Sequence, residues 1–184
     1  MTNESNNDLT LVFFSTTIMK IIKYFSYGSN MSSPRLIDRV PSARFMSIGK
    51  IAGHQLRFHK KSKDGSAKCD AEHTQNPGHF IWGVVFCISA SEKEALDRIE
   101  GLGHGYDEKT VTVILENGDH LEAKTYYAIQ KDASLKPYHW YKEHVLRGAR
   151  ENQLPFDYIS IIESVQSVTD HDQERQTKEL SIYL

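Results

Sequence analysis

Cysteine is scarce: Cys69 and Cys87 are the only two in 184 residues, too few for the disulfide framework of a small secreted domain. The chain is therefore expected to work in a reducing cytoplasm. An excess of either charge is missing too. The 22 basic residues stand against 24 acidic ones, so no global field draws the chain to nucleic acid or to an anionic membrane. Apolar runs of bilayer length are absent; the best candidate, Leu9–Met19, falls far short of the ~20 residues of a spanning helix. No basic residue precedes it, and Lys20 and Lys23 follow where a small-residue cleavage site belongs, so it does not read as a signal peptide. Residues 1–18 are expected to form an N-terminal extension, with Met19 opening the functional domain over 19–168 and a tail over 169–184. No repeat, low-complexity tract or Gly/Ser/Pro-rich linker divides that domain. A chain of this length buries roughly 70% of its unfolded surface, enough for a real core. The expected partner is a small molecule, not nucleic acid or a membrane, and the chain is expected to act as a monomer or homodimer.

What is present reads as strands around a few helices. Ile21–Tyr27 is β-branched or aromatic at most positions and predicts a strand, followed by a short helix over Pro34–Val40. Phe45, Ile48, Ile51, Leu56 and Phe58 mark bent strands interrupted at Gly49 and Gly53. Residues 60–78 are polar and Gly-containing and read as a long loop. The nearly continuous apolar run Phe80–Ile88 predicts a central strand covered on both faces. Ser91 and Glu94 have capping-box spacing and open a helix that Gly101 should close. Two strands flank Asn117-Gly118 as a hairpin, and Tyr138–Asn152 has helical periodicity through Tyr141, Val145 and Ala149. Leu154-Pro155 separates it from a further helix over Phe156–Val168, and the tail either frays or packs through Leu180, Ile182 and Tyr183. Without strict alternation of strand and helix, the pattern predicts an α+β fold with a curled mixed β-sheet or small β-barrel flanked by a few helices.

Two features carry chemistry. The first is the run Tyr24-Phe25-Ser26-Tyr27-Gly28-Ser29-Asn30-Met31, where a strand breaks into a turn and a helix start. Gly28 permits positive φ, Ser33-Pro34 reads as N-cap and first helical residue, and free amides at such a junction suit a carboxylate or phosphate. A tight turn without a ligand is the alternative. The second is Glu100, four residues after Leu96 on or beside the apolar face marked by Ala95, Leu96 and Ile99. At the helix C-terminus the dipole and partial burial both oppose a charge, which suits a general base near neutral pH; a boundary Glu reaching for water is the alternative.

The Tyr24–Met31 motif resembles the opening motif of the γ-glutamylcyclotransferase family. So do Leu96-Asp-Arg-Ile-Glu-Gly101, Ile81-Trp-Gly-Val-Val85, Gly105-Tyr106, Ala123-Lys-Thr-Tyr126, Tyr141-Lys and Gly148–Pro155, in the family's order. Ser26 departs from it, since relatives often carry Ala there. The resemblance implies intramolecular cyclisation of a γ-glutamyl group to 5-oxoproline, with Glu100 as catalytic acid and base and no metal or other cofactor. It further implies a substrate site lined by Tyr24, Phe25, Ser26, Tyr27, Gly28, Ser29, Asn30 and Tyr141. It leans toward γ-glutamyl amino acids. Action on γ-glutamylamines, glutathione or a γ-glutamyl-protected intermediate, with the leaving group read by residues 60–78, is the alternative, as is a non-catalytic ligand-binding module. The turn would hold either the substrate's α-carboxylate or the developing oxyanion, and Tyr141 is either a substrate contact or an aromatic anchor.

Other groupings are weaker. Cys69, His73, His79 and Cys87 fit no zinc template by spacing. The basic stretch His59-Lys60-Lys61 with Lys63 and Lys68 has no interleaved aromatics and reads as a solvated loop. Cys87 lies in the apolar strand and reads as core.

Overall fold

The computed structural model describes residues 20–184. The expected extension over 1–18 and the start at Met19 lie outside the described residues. Among the described residues there are seven strands: β1 (Ile21–Ser26), β2 (Arg44–Ala52), β3 (His54–Lys61), β4 (Ala67–His73), β5 (Phe80–Ser89), β6 (Tyr106–Leu115) and β7 (His120–Ala128). The helices are α1 (Ser33–Arg39), α2 (Lys93–Glu100), α3 (His139–Glu151), α4 (Phe156–Ser164) and α5 (Gln173–Leu180). Among the described residues no helix is long and apolar enough to cross a membrane.

Strands β1-β5-β2-β6-β7 close into a mixed barrel, the small-barrel form of the expected α+β fold. The apolar run that predicted a central strand is β5, hydrogen-bonded to antiparallel β1 on one side and to β2 on the other. Its Ile81, Val84, Val85, Phe86 and Ile88 are buried. The β6–β7 hairpin turns at Asn117-Gly118 as expected, with Gly118 at φ +86°. Closure comes through a parallel bridge between β1 and β7 at Tyr24 and Lys124.

Residues 60–78 do not form a loop. Residues 60–61 and 67–73 belong to β3 and β4, a two-stranded antiparallel sheet beside the barrel that turns through Gly65 at φ +83°. The small residues Ala67, Cys69 and Ala71 alternate inward along β4 while Lys68 and Glu72 are only partly buried. Density of charge masked that period of two. The basic stretch at His59–Lys61 is accordingly strand, not solvated loop.

Three helix boundaries also differ. The N-cap of α1 is Ser32, one residue early, and Pro34 sits within the first turn. The chain enters α2 through a 3-10 turn over Ala90–Glu92 that Ser89 caps, because Glu94 pairs with Arg98 at 2.6 Å and leaves no capping box. Ile99 on α2 is exposed, so its apolar face is narrower than the sequence suggests, although Leu96 is fully buried. Gly101 ends α2 at φ +71° as expected. Helix α4 stops at Ser164 because Val165 turns extended and the chain runs beside Pro137–His139.

The tail packs. Glu179 on α5 meets Arg35 of α1 at 2.6 Å, and Tyr183 donates to Ser32 Oγ at 3.0 Å. Cys87, read as core, is only half-buried, with its sulfur against Met46.

Candidate active site

Strand β1 brings Tyr24 and Ser26 to the wall of a cavity, and a 3-10 turn over Ser29–Met31 carries the chain from there into α1. Thr125 Oγ1 donates to the Phe25 carbonyl at 2.8 Å, and Tyr27 OH to the Tyr126 carbonyl at 2.7 Å, anchoring both sides of the bend to β7. Gly28 has φ −115°, so positive φ is not why glycine stands there. A Cβ on it would lie 3.1 Å from Cys69 Cβ and 3.5 Å from Tyr141 OH, so the glycine permits close approach of the turn to β4 and α3. Helix α3 fits equally closely, since a Cβ on Gly148 would stand 2.5 Å from the Ser32 nitrogen.

The turn is only partly self-satisfied. Met31 N donates to the Gly28 carbonyl and Ser32 N to the Ser29 carbonyl. The N–H groups of Gly28, Ser29 and Asn30 have no protein acceptor among the described residues, and all three residues line a small inner cavity of about 30 Å³. Glu100 lines it too.

Asn30 joins the two sequence motifs. Its Nδ2 donates to Glu100 Oε1 at 2.9 Å and to Tyr24 OH at 3.1 Å, while its Oδ1 accepts from Arg39 at 3.0 Å. Arg39 also donates to Glu100 Oε1 at 3.2 Å. The carboxylate therefore has a countercharge that the position at the end of α2 did not foretell. Oε2 receives no hydrogen bond from the described residues.

Tyrosines build the walls. Tyr106 OH donates to the Cys69 carbonyl at 2.7 Å, and Tyr141 OH accepts from Cys69 N at 3.0 Å, holding that strand residue from both sides. Tyr126 OH donates to Asp97 at 2.6 Å and packs edge-on to Tyr24 and Tyr106. Burial pushes the phenols of Tyr24, Tyr27, Tyr106, Tyr126 and Tyr141 above their usual range, so they remain protonated donors near neutral pH. The Cys69 thiol is likewise pushed up to about 12 by burial, which keeps it from being a nucleophile. Ser26 Oγ is buried without a hydrogen-bond partner among the described residues and lines the inner cavity.

An outer cavity of about 130 Å³ adjoins the inner one and shares Ser29, Glu100, Tyr106 and Tyr141 with it. Arg35, Arg39, Lys60 and Lys68 add four cations, and among the described residues Glu100 is the one acidic side chain lining either cavity. A larger groove of about 640 Å³ near His54, His73 and Lys109 contains none of the expected catalytic or substrate-binding residues. Among the described residues no three His, Cys, Asp or Glu side chains gather as a metal site.

The structure thus brings Tyr24, Ser26, Tyr27, Gly28, Ser29, Asn30, Tyr141 and Glu100 around one cavity. Phe25 is not among its lining; it is fully buried, and its ring lies within 2.7 Å of where a Cβ on Gly83 would stand. Cys69, Tyr106, Tyr126 and Arg39 had no assigned place. Tyr106 and Tyr126 stood inside matched motifs, Cys69 was hidden in the supposed loop, and Arg39 carried no signal beyond a cation in the last turn of α1.

The model of the AIG2-like family matches residues 80–162, which include α2 with Glu100 and α3 with Tyr141. A solved γ-glutamyl cyclotransferase structure superposes with a TM-score of 0.75 at 24% identity, over 86% of this chain and 99% of that one. The γ-glutamylcyclotransferases of Bos taurus and Homo sapiens are 32% and 31% identical to this chain over 147 residues, 78% of each sequence. The chain belongs to the γ-glutamylcyclotransferase family.

Proposed function

We propose that this protein cyclises γ-glutamyl amino acids to 5-oxoproline and a free amino acid, with Glu100 moving the proton. The observation that carries this reading is Glu100 itself, whose Oε1 is tied to Asn30 and Arg39 while Oε2 has no donor among the described residues, beside three amides with no acceptor among them in one cavity. The α-amine of the substrate attacks its own γ-carbonyl carbon; a C–N bond forms to close the lactam and the bond to the leaving nitrogen breaks. An α-amine with a pKa of ~8 is mostly protonated at neutral pH, so attack needs a base. The ammonium first gives up one proton to solvent; Oε2 then takes a proton from the attacking amine as the C–N bond forms and returns it to the leaving nitrogen, and the carboxylate ends as it began.

A positioned acid–base contributes typically ~10²- to 10⁴-fold. Alignment of amine and carbonyl adds to this, since effective molarities of about 10⁵–10⁸ M are reached in oriented intramolecular reactions. The N–H groups of Gly28, Ser29 and Asn30 give donors for a substrate oxygen, and Ser26 and Tyr24 lie within the same wall. The two cysteines are unpaired thiols, which agrees with action in a reducing cytoplasm.

The test is incubation of the purified protein with γ-glutamyl-alanine, glutathione and a γ-glutamylamine, with 5-oxoproline read by mass spectrometry. Release from γ-glutamyl-alanine is expected. No product from any of the three rejects the reading.

A further inference from the structure

Four cations line the outer cavity, and three of them are engaged by acids. Arg35 meets Glu179 at 2.6 Å, Arg39 meets Glu100 at 3.2 Å, and Lys68 meets Asp64 at 2.8 Å. Lys60 has neither a carboxylate partner nor a hydrogen bond from its ammonium among the described residues; its Nζ rests over the Tyr106 ring at 4.7 Å. It is half-buried, and its cross-strand neighbour in the hairpin is another cation, Lys68. Asp64 answers the charge of Lys68 at 2.8 Å and leaves the ammonium of Lys60 without a paired carboxylate among the described residues. Burial lowers the Lys60 ammonium below its ordinary value while the nearby Glu100 charge opposes the shift.

Local structure holds Lys60 in this place. A bulge interrupts the β3–β4 register between Phe58 and Lys60, the kind of irregularity that re-aims a side chain near a site. Gly105 completes the arrangement, because a Cβ there would stand 2.8 Å from both Cε and Nζ of Lys60. The side chain is thus accommodated by an absence of bulk on the neighbouring turn, at the same cavity as Glu100.

We infer that Lys60 is a specificity-determining residue that holds the α-carboxylate of the departing amino acid, so that the enzyme selects γ-glutamyl amino acids over γ-glutamylamines. This rests on the cyclotransferase reading above. In a γ-glutamyl amino acid the α-carboxylate is attached to the carbon next to the leaving nitrogen, so a nitrogen receiving its proton from Glu100 presents that carboxylate to the same cavity. A γ-glutamylamine has no such group and leaves the ammonium unpaired.

The matched pair γ-glutamyl-alanine and γ-glutamyl-alaninamide tests this, since the two differ only in that charge. The wild-type protein is expected to turn over the acid with kcat/KM about 10- to 100-fold above the amide, the range of one charge-assisted hydrogen bond. Lys60→Gln should bring the ratio to about 1 by losing the acid alone, mainly in KM, and Lys60→Arg should restore most of it. A far-ultraviolet circular dichroism spectrum and melting temperature like those of the wild type show that Lys60→Gln is folded. Equal wild-type rates on the pair, or discrimination that survives Lys60→Gln, overturns the assignment while 5-oxoproline formation still supports the cyclotransferase. If neither substrate gives 5-oxoproline, the parent reading fails and the assignment falls with it.

Discussion

Asn30 Nδ2 lies 2.9 Å from Glu100 Oε1, joining two motifs 70 residues apart in the chain. The same amide has its carbonyl on Arg39, so its orientation is set from both ends and one carboxylate oxygen is left for a substrate. Glu100→Gln keeps the shape and the oxygen that Asn30 and Arg39 address but cannot take a proton. Its 5-oxoproline turnover is expected to fall by roughly 10²- to 10⁴-fold with an unchanged far-ultraviolet circular dichroism spectrum. Full activity in this variant removes Glu100 from the chemistry.

Asn30→Ala deletes a hydrogen bond to a charged group, an interaction of about 1.5–3 kcal/mol, and turnover should fall about 10- to 100-fold. If Asn30 works by positioning Glu100, the double variant with Glu100→Gln loses no more than Glu100→Gln alone. Strict multiplication of the two losses in steady-state kinetics would show that they act separately.

Gly148→Ala pushes a methyl group to 2.5 Å from the Ser32 nitrogen and 2.6 Å from the Met31 carbonyl carbon, both backbone atoms. Overpacking of this kind costs typically about 1–3 kcal/mol. Because the displaced segment adjoins the proposed substrate turn, activity should fall further than the lowered melting temperature explains when both are measured well below unfolding.

The thiols should differ in reactivity. Cys69 is buried and pushed up to about 12, whereas Cys87 is half-buried on the strand β5. Iodoacetamide at pH 8 on the native protein is expected to label Cys87 first, with Cys69 reached only after denaturation, as peptide mass spectrometry will report. Early labelling of Cys69 contradicts the closed site described above.

Acid should release the C-terminal helix. Burial lowers His144 from 6.5 to about 4, and Glu179, held by His144 and Arg35, lies at about 2 against 4.5. Both groups bind protons more readily in the unfolded chain. Stability is therefore present above about pH 6.5, erodes through His144 as the pH falls toward 4, and erodes through Glu179 between about 4.5 and 2. The His144 part is of the order of 2–3 kcal/mol. Hydrogen exchange of α5 at pH 7 and pH 4.5 measures it: protection should drop at the lower pH, and His144→Gln should flatten the difference.

The barrel was legible where chemistry and period agreed. The apolar run of β5 and the Asn117-Gly118 turn each allow one reading, and Tyr141, Val145 and Ala149 mark the buried stripe of α3 by spacing alone. The β3–β4 sheet was not legible, because Lys60, Lys61, Lys63, Asp64, Lys68 and Asp70 read as solvent-facing. Asp70 is in fact fully buried, answered by His59, Lys131 and the Ala128 amide. Such long-range pairing leaves no local trace. The site followed the same division: the turn at Gly28 and the end of α2 were visible as motifs, while Arg39 and Cys69 enter only through folding.

Tyr24 belongs to two structures at once. Its backbone forms the parallel bridge to Lys124 by which β1 meets β7, and its hydroxyl accepts from Asn30 in the cavity. Ring closure and pocket wall thus share one residue. The seam of the barrel is fastened at the same residue as the site, so a molecule gripping the turn from inside also holds the barrel shut.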